Sequence, residues 1–154
     1  MVLIRALARF LILPPALVVP LGLAGEPDAT ETVVSVLDGV YSAIQAERGE
    51  VIYPSICGRC HGYALDGAPD DPDMLPAPPI AGVKFLRKWN GASVAALYEY
   101  LRTSMPAINP GSLADSEYLD VLSYMLSVSG MPPGPDDLGS RLEELTGITI
   151  ELPR

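Results

Sequence analysis

Two cysteines and a histidine lie close together in this sequence, and their types and spacing suit a specific chemistry. Residues Cys57–His61 read C-G-R-C-H, and the chain contains only these two cysteines and this one histidine. Thiols three positions apart on one turn can form thioether bonds to the two vinyl groups of one porphyrin edge, and the adjacent imidazole can then reach the iron. The motif predicts one covalently attached haem c, bound through Cys57 and Cys60, with His61 as the proximal iron ligand.

Two other uses of a C-x-x-C motif fit this chain less well. A structural zinc site needs four ligands, and beyond Cys57, Cys60 and His61 the sequence offers no further cysteine or histidine. A thioredoxin-like dithiol requires a preceding strand and a βαβ context, which the sequence pattern does not contain. We therefore expect haem attachment rather than zinc binding or dithiol exchange.

The first residues have the order of a secretory leader. Arg5 and Arg9 precede an apolar run that ends at Gly22-Leu23-Ala24, a small-x-small cleavage pattern. The run contains three prolines and is shorter than the roughly 20 residues that cross a bilayer. We expect cleavage after Ala24, export to the periplasm and no stable membrane span. The alternative is a segment that is retained as an anchor.

Acidic side chains dominate the charge of the chain. It has 19 Asp and Glu against 10 Lys and Arg, a net charge of −9. Loss of Arg5 and Arg9 with the leader would leave 8 basic side chains and a net charge of −11. Such a protein is repelled by nucleic acids and anionic lipids. We therefore expect redox partner proteins that carry a basic docking patch, and no nucleic acid partner.

Hydrophobic periodicity predicts a mostly α fold with three main helices. The first begins at a capping box formed by Ser42 and Gln45, and the second is capped by Ser93. The three helices are expected at about residues 42–54, 93–104 and 115–129. Between the first two, residues 62–82 are rich in Pro, Gly and Asp, and we expect a long loop that wraps round the cofactor.

The residues after the third helix predict an extension of the domain. Leu138, Leu142 and Leu145 have the spacing of a short helix, and the alternation over 148–152 predicts a short strand or an extended strap. We predict four segments, which are a leader at 1–24, a lead-in at 25–41, the haem domain at 42–130 and a C-terminal extension at 131–154 that packs on or straps the domain.

Beyond the haem motif, residues 42–129 resemble the mono-haem class I cytochromes c. Arg48–Tyr53, which read R-G-E-V-I-Y, are similar to the first helix of that family, whose glycine allows close crossing by an aromatic residue of the C-terminal helix. Tyr124 corresponds to that aromatic residue. The resemblance implies the small class I cytochrome c fold, with three main helices wrapped round one covalently attached haem.

A second part of the resemblance concerns the proximal side of the haem. Pro78–Gly82, which read P-P-I-A-G, are similar to the family's Pro-Asn-Leu-x-Gly segment, with Pro79 in place of the asparagine. In the family the proline carbonyl accepts the proton of the proximal imidazole, so the resemblance assigns Pro78 as the acceptor for His61. The later stretch 85–118 is similar to a bacterial subgroup of periplasmic cytochromes c found beside periplasmic dehydrogenases.

A methionine opposite the histidine would fill the sixth iron site and favour ferrous iron. Met74 comes early in the loop, Met125 lies inside the third helix, and Met131 follows that helix. The family's order of elements favours Met105, which ends the second helix and precedes Pro106, as the distal iron ligand. Met131 is the rival assignment, because a proline follows it as well.

His/Met ligation predicts an electron carrier, not an enzyme, with a one-electron Fe(III)/Fe(II) cycle in which both axial ligands are retained. The resemblance implies transfer between a periplasmic dehydrogenase and a respiratory acceptor. Trp89, the only tryptophan, is expected to donate its indole N–H to a haem propionate. One alternative is a haem subunit of a dehydrogenase complex. Another is an open-site ligand-binding or sensor protein, should Met105 not bind the iron.

Overall fold

The computed structural model describes residues 34–73 and 77–153, and these ranges are mostly helical. The helices are α1 (Ala43–Ile56), α2 (Gly58–His61), α3 (Gly82–Trp89), α4 (Val94–Ser104), α5 (Asp115–Val128) and α6 (Leu142–Thr146). A turn of 3-10 helix covers Val36–Asp38, and the strands β1 (Val34–Ser35) and β2 (Ile148–Thr149) pair in parallel. The mostly α fold with three main helices, here α1, α4 and α5, is confirmed.

Three of the sequence predictions fall on residues that these ranges do not cover. The leader at 1–24, the first part of the lead-in and Met74 all lie outside the described residues. Within residues 34–73 and 77–153, no helix combines the length and the apolar character that a bilayer crossing requires.

Ser42 caps α1 as predicted. Its Oγ accepts a hydrogen bond of 3.0 Å from the backbone N–H of Gln45. In a capping box the side chain of Gln45 would accept a hydrogen bond from the backbone N–H of Ser42, but here it binds Leu138 instead. Its Nε2 donates to the carbonyl of Leu138 at 3.1 Å, and its Oε1 accepts from the N–H of Leu138 at 2.7 Å. This buried amide therefore joins the start of α1 to the segment that precedes α6.

The helices α1 and α5 cross at very short range, and Gly49 makes the crossing possible. A Cβ on Gly49 would lie 2.0 Å from the carbonyl oxygen of Asp120 and 2.9 Å from Cβ of Tyr124. One turn further along α1, the rings of Tyr53 and Tyr124 meet edge to face with centroids 5.6 Å apart. The expected crossing of a glycine by Tyr124 is confirmed.

A cluster of charged side chains, Arg48, Asp120 and Asp137, reinforces this crossing. Arg48 donates to both carboxylate oxygens of Asp120, from Nε at 3.0 Å and from Nη2 at 2.9 Å. The same Nη2 donates to Asp137 at 2.7 Å, and Ser42 donates its hydroxyl to Asp137 as well. Asp120 is buried, so the fork-like pairing compensates the loss of its hydration.

The C-terminal residues return to the start of the described chain. The alternation over 148–152 left a strand and a strap as alternatives, and residues Ile148–Thr149 form β2 beside β1. Immediately after β2, Ile150 exchanges backbone hydrogen bonds with the turn between α3 and α4. Its N–H donates to Ala92 at 2.9 Å, and its carbonyl accepts from Gly91 at 2.8 Å. Ile150 and Leu145 are fully buried, so this segment contributes to the core.

The helix α3 was not predicted, because the proline-rich loop was expected to give way to the second helix without another helix between them. Phe85 and Leu86 are buried and Trp89 is half-buried. These three positions share one face of a helix, so a helical signal was present in the sequence. This signal is short, since α3 has 8 residues, begins with a glycine and is followed by an asparagine at its C-cap. The proline-rich loop therefore leads into a helix whose buried face contributes to the core.

Substitution of Gly49 by alanine tests the crossing. In an open helix this change stabilises by up to about 1 kcal/mol. Here the new methyl group overlaps a backbone carbonyl that cannot rotate away, so we expect a net loss of about 1–3 kcal/mol in the free energy of unfolding. Denaturant unfolding of the purified holoprotein measures it.

Gly147→Ala is the matched control for Gly49→Ala. Gly147 has a φ of −74°, and the nearest atom to its added Cβ is the Glu144 carbonyl oxygen at 3.6 Å. We expect its unfolding free energy to change by less than about 0.5 kcal/mol. A Gly49→Ala protein as stable as the parent would show that the two helices can separate at no cost.

Asp137→Asn tests the charged cluster through its pH dependence. Hydrogen bonds from Ser42 and Arg48 lower the pKa of Asp137. A depressed pKa contributes stability above the unfolded-state pKa of about 3.9, and this contribution is lost as the pH falls through the native value. We expect Asp137→Asn to lower the free energy of unfolding by less than about 1 kcal/mol at neutral pH, since the carboxylate is half-exposed. As the pH falls, the variant should lose less additional unfolding free energy than the parent protein does. Urea unfolding from about pH 7 to about pH 3 measures both, with Asp136→Asn as the control.

Candidate functional site

The end of α1 delivers the first cysteine of the motif. The helix continues through Pro54 to Ile56, slightly beyond the predicted end. Pro54 removes one backbone donor, and the carbonyl that loses it belongs to the exposed Glu50, where water can replace the bond. The N–H of Cys57 still donates to the carbonyl of Tyr53 at 2.9 Å, so the turn that enters the motif keeps its helical course.

Both thiols and the imidazole lie on one helical turn. Cys57 caps α2, and its carbonyl accepts from the N–H groups of Cys60 at 3.1 Å and His61 at 3.0 Å. Both cysteine side chains are partly buried. Burial, with a smaller contribution from Cys60, raises the pKa of the Cys57 thiol to about 11. Because a reactive dithiol has a depressed thiol pKa, the raised pKa of Cys57 does not favour dithiol exchange.

His61 is held by a backbone carbonyl. Its Nδ1 lies 2.8 Å from the carbonyl oxygen of Pro78. A carbonyl can only accept, so Nδ1 carries the proton and donates it, which leaves the lone pair on Nε2 available. Histidines that bind metals are oriented in this way, with one ring nitrogen on a protein acceptor and the other on the metal.

The turn that follows His61 is fixed from two sides. The buried hydroxyl of Tyr53 donates to the carbonyl of Gly62 at 2.8 Å. The N–H of Gly67 donates to the carbonyl of His61 at 2.7 Å. Both bonds use backbone groups at or beside the histidine, so they restrict the backbone from which the imidazole projects. Sequence patterns did not identify Tyr53 as part of the site, although its i−4 spacing from Cys57 places both on one helix face.

A second set of contacts folds the loop back toward the histidine. Leu65 is buried, and its carbonyl accepts from the N–H of Ile80 at 2.9 Å. Gly67 has a φ of +82°, and a Cβ there would lie 2.4 Å from the carbonyl oxygen of Ala77. The segment that leaves His61 and the segment that returns to it are therefore close together. Pro78 lies in the returning segment, beside His61.

The three described methionines differ in burial. Met125, inside α5, and Met131, just after α5, are 1% and 3% exposed and belong to the core. Met105 is only partly buried, at the C-terminal cap of α4. Its carbonyl accepts from the hydroxyl of Tyr118 at 2.7 Å, which ties the segment between α4 and α5 to the latter helix. Burial therefore explains Met125 and Met131 as packing residues, and the assignment of Met105 as an iron ligand stays a prediction.

Trp89 lies at the C-terminal end of α3, half-buried. Its ring is tilted against that of Tyr100, with centroids 5.6 Å apart. The ammonium group of Lys88 lies 5.7 Å from the Trp89 ring centroid and 5.6 Å from that of Tyr100. The expected bond from its indole to a propionate stays a prediction, whereas the contact with Tyr100 is one that the sequence did not indicate.

These groups fit a covalently attached haem. Two thiols and an oriented imidazole on one turn are the donors that such a cofactor requires. The segments expected to surround it also carry apolar side chains that the protein itself covers only in part, namely Cys57, Ile80, Ala81, Trp89, Met105 and Leu113.

Parts of this chain are similar to known proteins. The family model described as cytochrome C oxidase, cbb3-type, subunit III matches residues 44–125. A stretch of 81 residues is 32% identical to a thiosulfate dehydrogenase of Psychrobacter arcticus, and it covers 51% of this chain and 24% of that protein. The chain thus spans about a quarter of the length of this relative. The crystal structure of the sulfane dehydrogenase SoxCD from Paracoccus pantotrophus aligns with a TM-score of 0.42 and 20% identity, over 84% of this chain and 68% of that one.

Covalent attachment is tested by denaturing the holoprotein in acidified organic solvent. We expect the haem to stay with the chain, because thioether bonds survive unfolding. Cys57→Ala and Cys60→Ala should each retain haem through one bond, and the double variant should retain none. Intact mass measurement distinguishes the four proteins. Haem that extracts freely from the native protein would contradict the assignment of both cysteines.

Proposed function

Since the chain belongs to the family described as cytochrome C oxidase, cbb3-type, subunit III, and is a c-type cytochrome, we propose that it transfers electrons through a single covalently attached haem. The observation that carries the proposal concerns His61, which lies on the same helical turn as both cysteines. Its Nδ1 donates a hydrogen bond to the carbonyl of Pro78. The bound haem would supply a one-electron ferric/ferrous couple.

The residues of this chain have distinct roles in that function. Cys57 and Cys60 hold the cofactor covalently. The carbonyl of Pro78 accepts a hydrogen bond from Nδ1 of His61. This bond orients the ring and makes Nε2 a better electron donor to a metal. We propose that Met105 would be the second residue to bind the haem iron, because it is only partly buried, whereas Met125 and Met131 are core residues. Trp89 is proposed as a donor to a propionate.

We further propose that the work is electron transfer, not catalysis at an open haem. A thioether in the sixth position keeps oxygen and other small ligands away from the iron. His61 is the only histidine of the sequence, so it offers no second imidazole as a general base. One ring nitrogen of His61 is already bonded to the carbonyl of Pro78. For electron transfer the residues that bind the iron should be held rigidly. The hydrogen bonds to the carbonyls of His61 and Gly62 restrict the backbone at the proposed iron ligand His61.

The setting of this electron transfer is also a proposal. The leader pattern at residues 1–24 supports export to the periplasm, followed by a lead-in at 25–41, the cytochrome domain at 42–130 and the extension at 131–154. The partners are redox proteins, and the net charge of −9 favours a basic docking patch on at least one of them. A periplasmic dehydrogenase as donor and a respiratory acceptor are consistent with the resemblance.

A second candidate is a haem subunit or haem domain of a dehydrogenase. The similarity to a thiosulfate dehydrogenase over about a quarter of that protein favours it. In this case the cytochrome would accept electrons within a stable complex instead of diffusing between partners. Size-exclusion chromatography of the native protein from its source would distinguish the two candidate functions. A free carrier elutes at the mass of one small domain, whereas a haem subunit elutes at the mass of a larger complex.

Replacement of Met105 tests the second ligand. We expect Met105→Ala to lose the weak near-infrared charge-transfer band of methionine-ligated ferric haem, to lower the reduction potential and to bind carbon monoxide. The potential falls because a thioether that stabilises ferrous iron is removed. Optical spectra of both oxidation states and a redox titration measure these changes.

Met125→Leu and Met131→Leu are the controls, and both should keep the band, since leucine replaces a buried packing residue of similar size. A band that survives in Met105→Ala and disappears in Met131→Leu would move the ligand to Met131. A native protein that lacks the band and binds carbon monoxide readily would instead support the open-site sensor alternative.

A further inference from the structure

The helix α3 concentrates positive charge on an otherwise acidic chain. Its sequence, G-V-K-F-L-R-K-W, contains both lysines of the protein and one arginine, and no acidic residue. Lys84, Arg87 and Lys88 are exposed, and their spacing of three and four positions places them on one face. Phe85 and Leu86 occupy the opposite, buried face. We call the exposed set, with Tyr100, the basic face.

The charges of the basic face make no ion pair within the described residues. There Arg48, Arg102 and Arg141 each pair with a carboxylate, whereas the three α3 side chains, like Arg59, do not. Helix stability does not account for all of them either. Arg87 and Lys88 suit the C-terminal end of a helix, but Lys84 lies in the first turn, where the helix dipole disfavours a cation.

Aromatic side chains hold part of this charge in place. Lys88 lies over the rings of Trp89 and Tyr100, which limits the positions that its ammonium group adopts. Tyr100 is 39% exposed, so a partner can reach its ring. Tryptophan, tyrosine and arginine are the residue types that most often contribute binding energy at protein interfaces, and all three occur here together.

We propose that the basic face docks an acidic, carboxylate-rich surface of one redox partner. The inference rests on the proposed function, since a carrier must meet both a donor and an acceptor. The acidic remainder of the surface favours a basic partner, and the basic face gives a partner of opposite charge a separate place to bind. Three positive charges are fewer than the four to eight that usually hold a protein to anionic lipid, and the net charge of −9 opposes such binding.

Anion binding to the ferrous holoprotein tests the proposal without a known partner. The probes are hexacyanochromate(III), a paramagnetic trivalent anion that broadens nearby amide signals, and a polyglutamate peptide. In ¹⁵N spectra we expect broadening or shifts confined to residues 83–89 and Tyr100, decreasing as salt is raised. The double variant Lys84→Gln/Arg87→Gln should weaken polyglutamate binding about threefold to tenfold.

Arg87→Gln is compared with the control Arg141→Gln, because each removes one positive charge and Arg141 is 78% exposed and lies outside α3. Arg141→Gln should leave the perturbed residues and the affinity unchanged. Broadening spread over the surface, centred on other residues, or unaltered in the double variant would overturn the inference. Binding to phosphatidylglycerol vesicles that is lost in the double variant would assign the face to a membrane and also overturn it. Each result is read on protein shown to carry covalent haem, so a failure of the proposed function is seen separately.

Discussion

The close approach of α1 and α5 at Gly49 is the constraint on which the other contacts depend. Asp120 contacts α1 twice at this crossing, with its carbonyl against Gly49 and with its carboxylate on Arg48. Because α1 leads without a break into Cys57, the crossing also sets where the cysteine turn begins. A wider separation of the helices would disturb the charged cluster at one end of α1 and the Tyr53–Tyr124 contact near the other.

The site itself depends on backbone groups more than on side chains. His61 is oriented by a proline carbonyl, and the neighbouring carbonyl of Gly62 is held by the Tyr53 hydroxyl. Proline at position 78 lacks an N–H, yet its carbonyl is free to accept, and its fixed φ limits the directions that the carbonyl can take. Contacts of Leu65 with Ile80 and of Gly67 with Ala77 hold the described ends of this proline- and glycine-rich loop close together, beside His61.

Charge is distributed unevenly over this small protein. The buried carboxylate of Asp120 requires a bidentate arginine, which stabilises the core junction of α1, α5 and the C-terminal segment. Most other carboxylates are exposed and give the chain its net charge. Against this background the cations of α3 are distinctive, because Lys84, Arg87 and Lys88 lie together on one exposed helix face and none of them pairs with a carboxylate in the described part of the chain.

The sequence by itself determined the features that depend on near neighbours. The C-x-x-C-H spacing, the caps at Ser42 and Ser93, and the apolar periodicity of α1, α4 and α5 are local, and the mostly α cytochrome c fold followed from them together with the resemblance. Only the tertiary structure decided that Gln45 pairs with Leu138, 93 residues away, and that Arg48 reaches Asp137, 89 residues away. Such contacts carry little signal in a local pattern, because each requires the whole chain to be folded before its two partners meet.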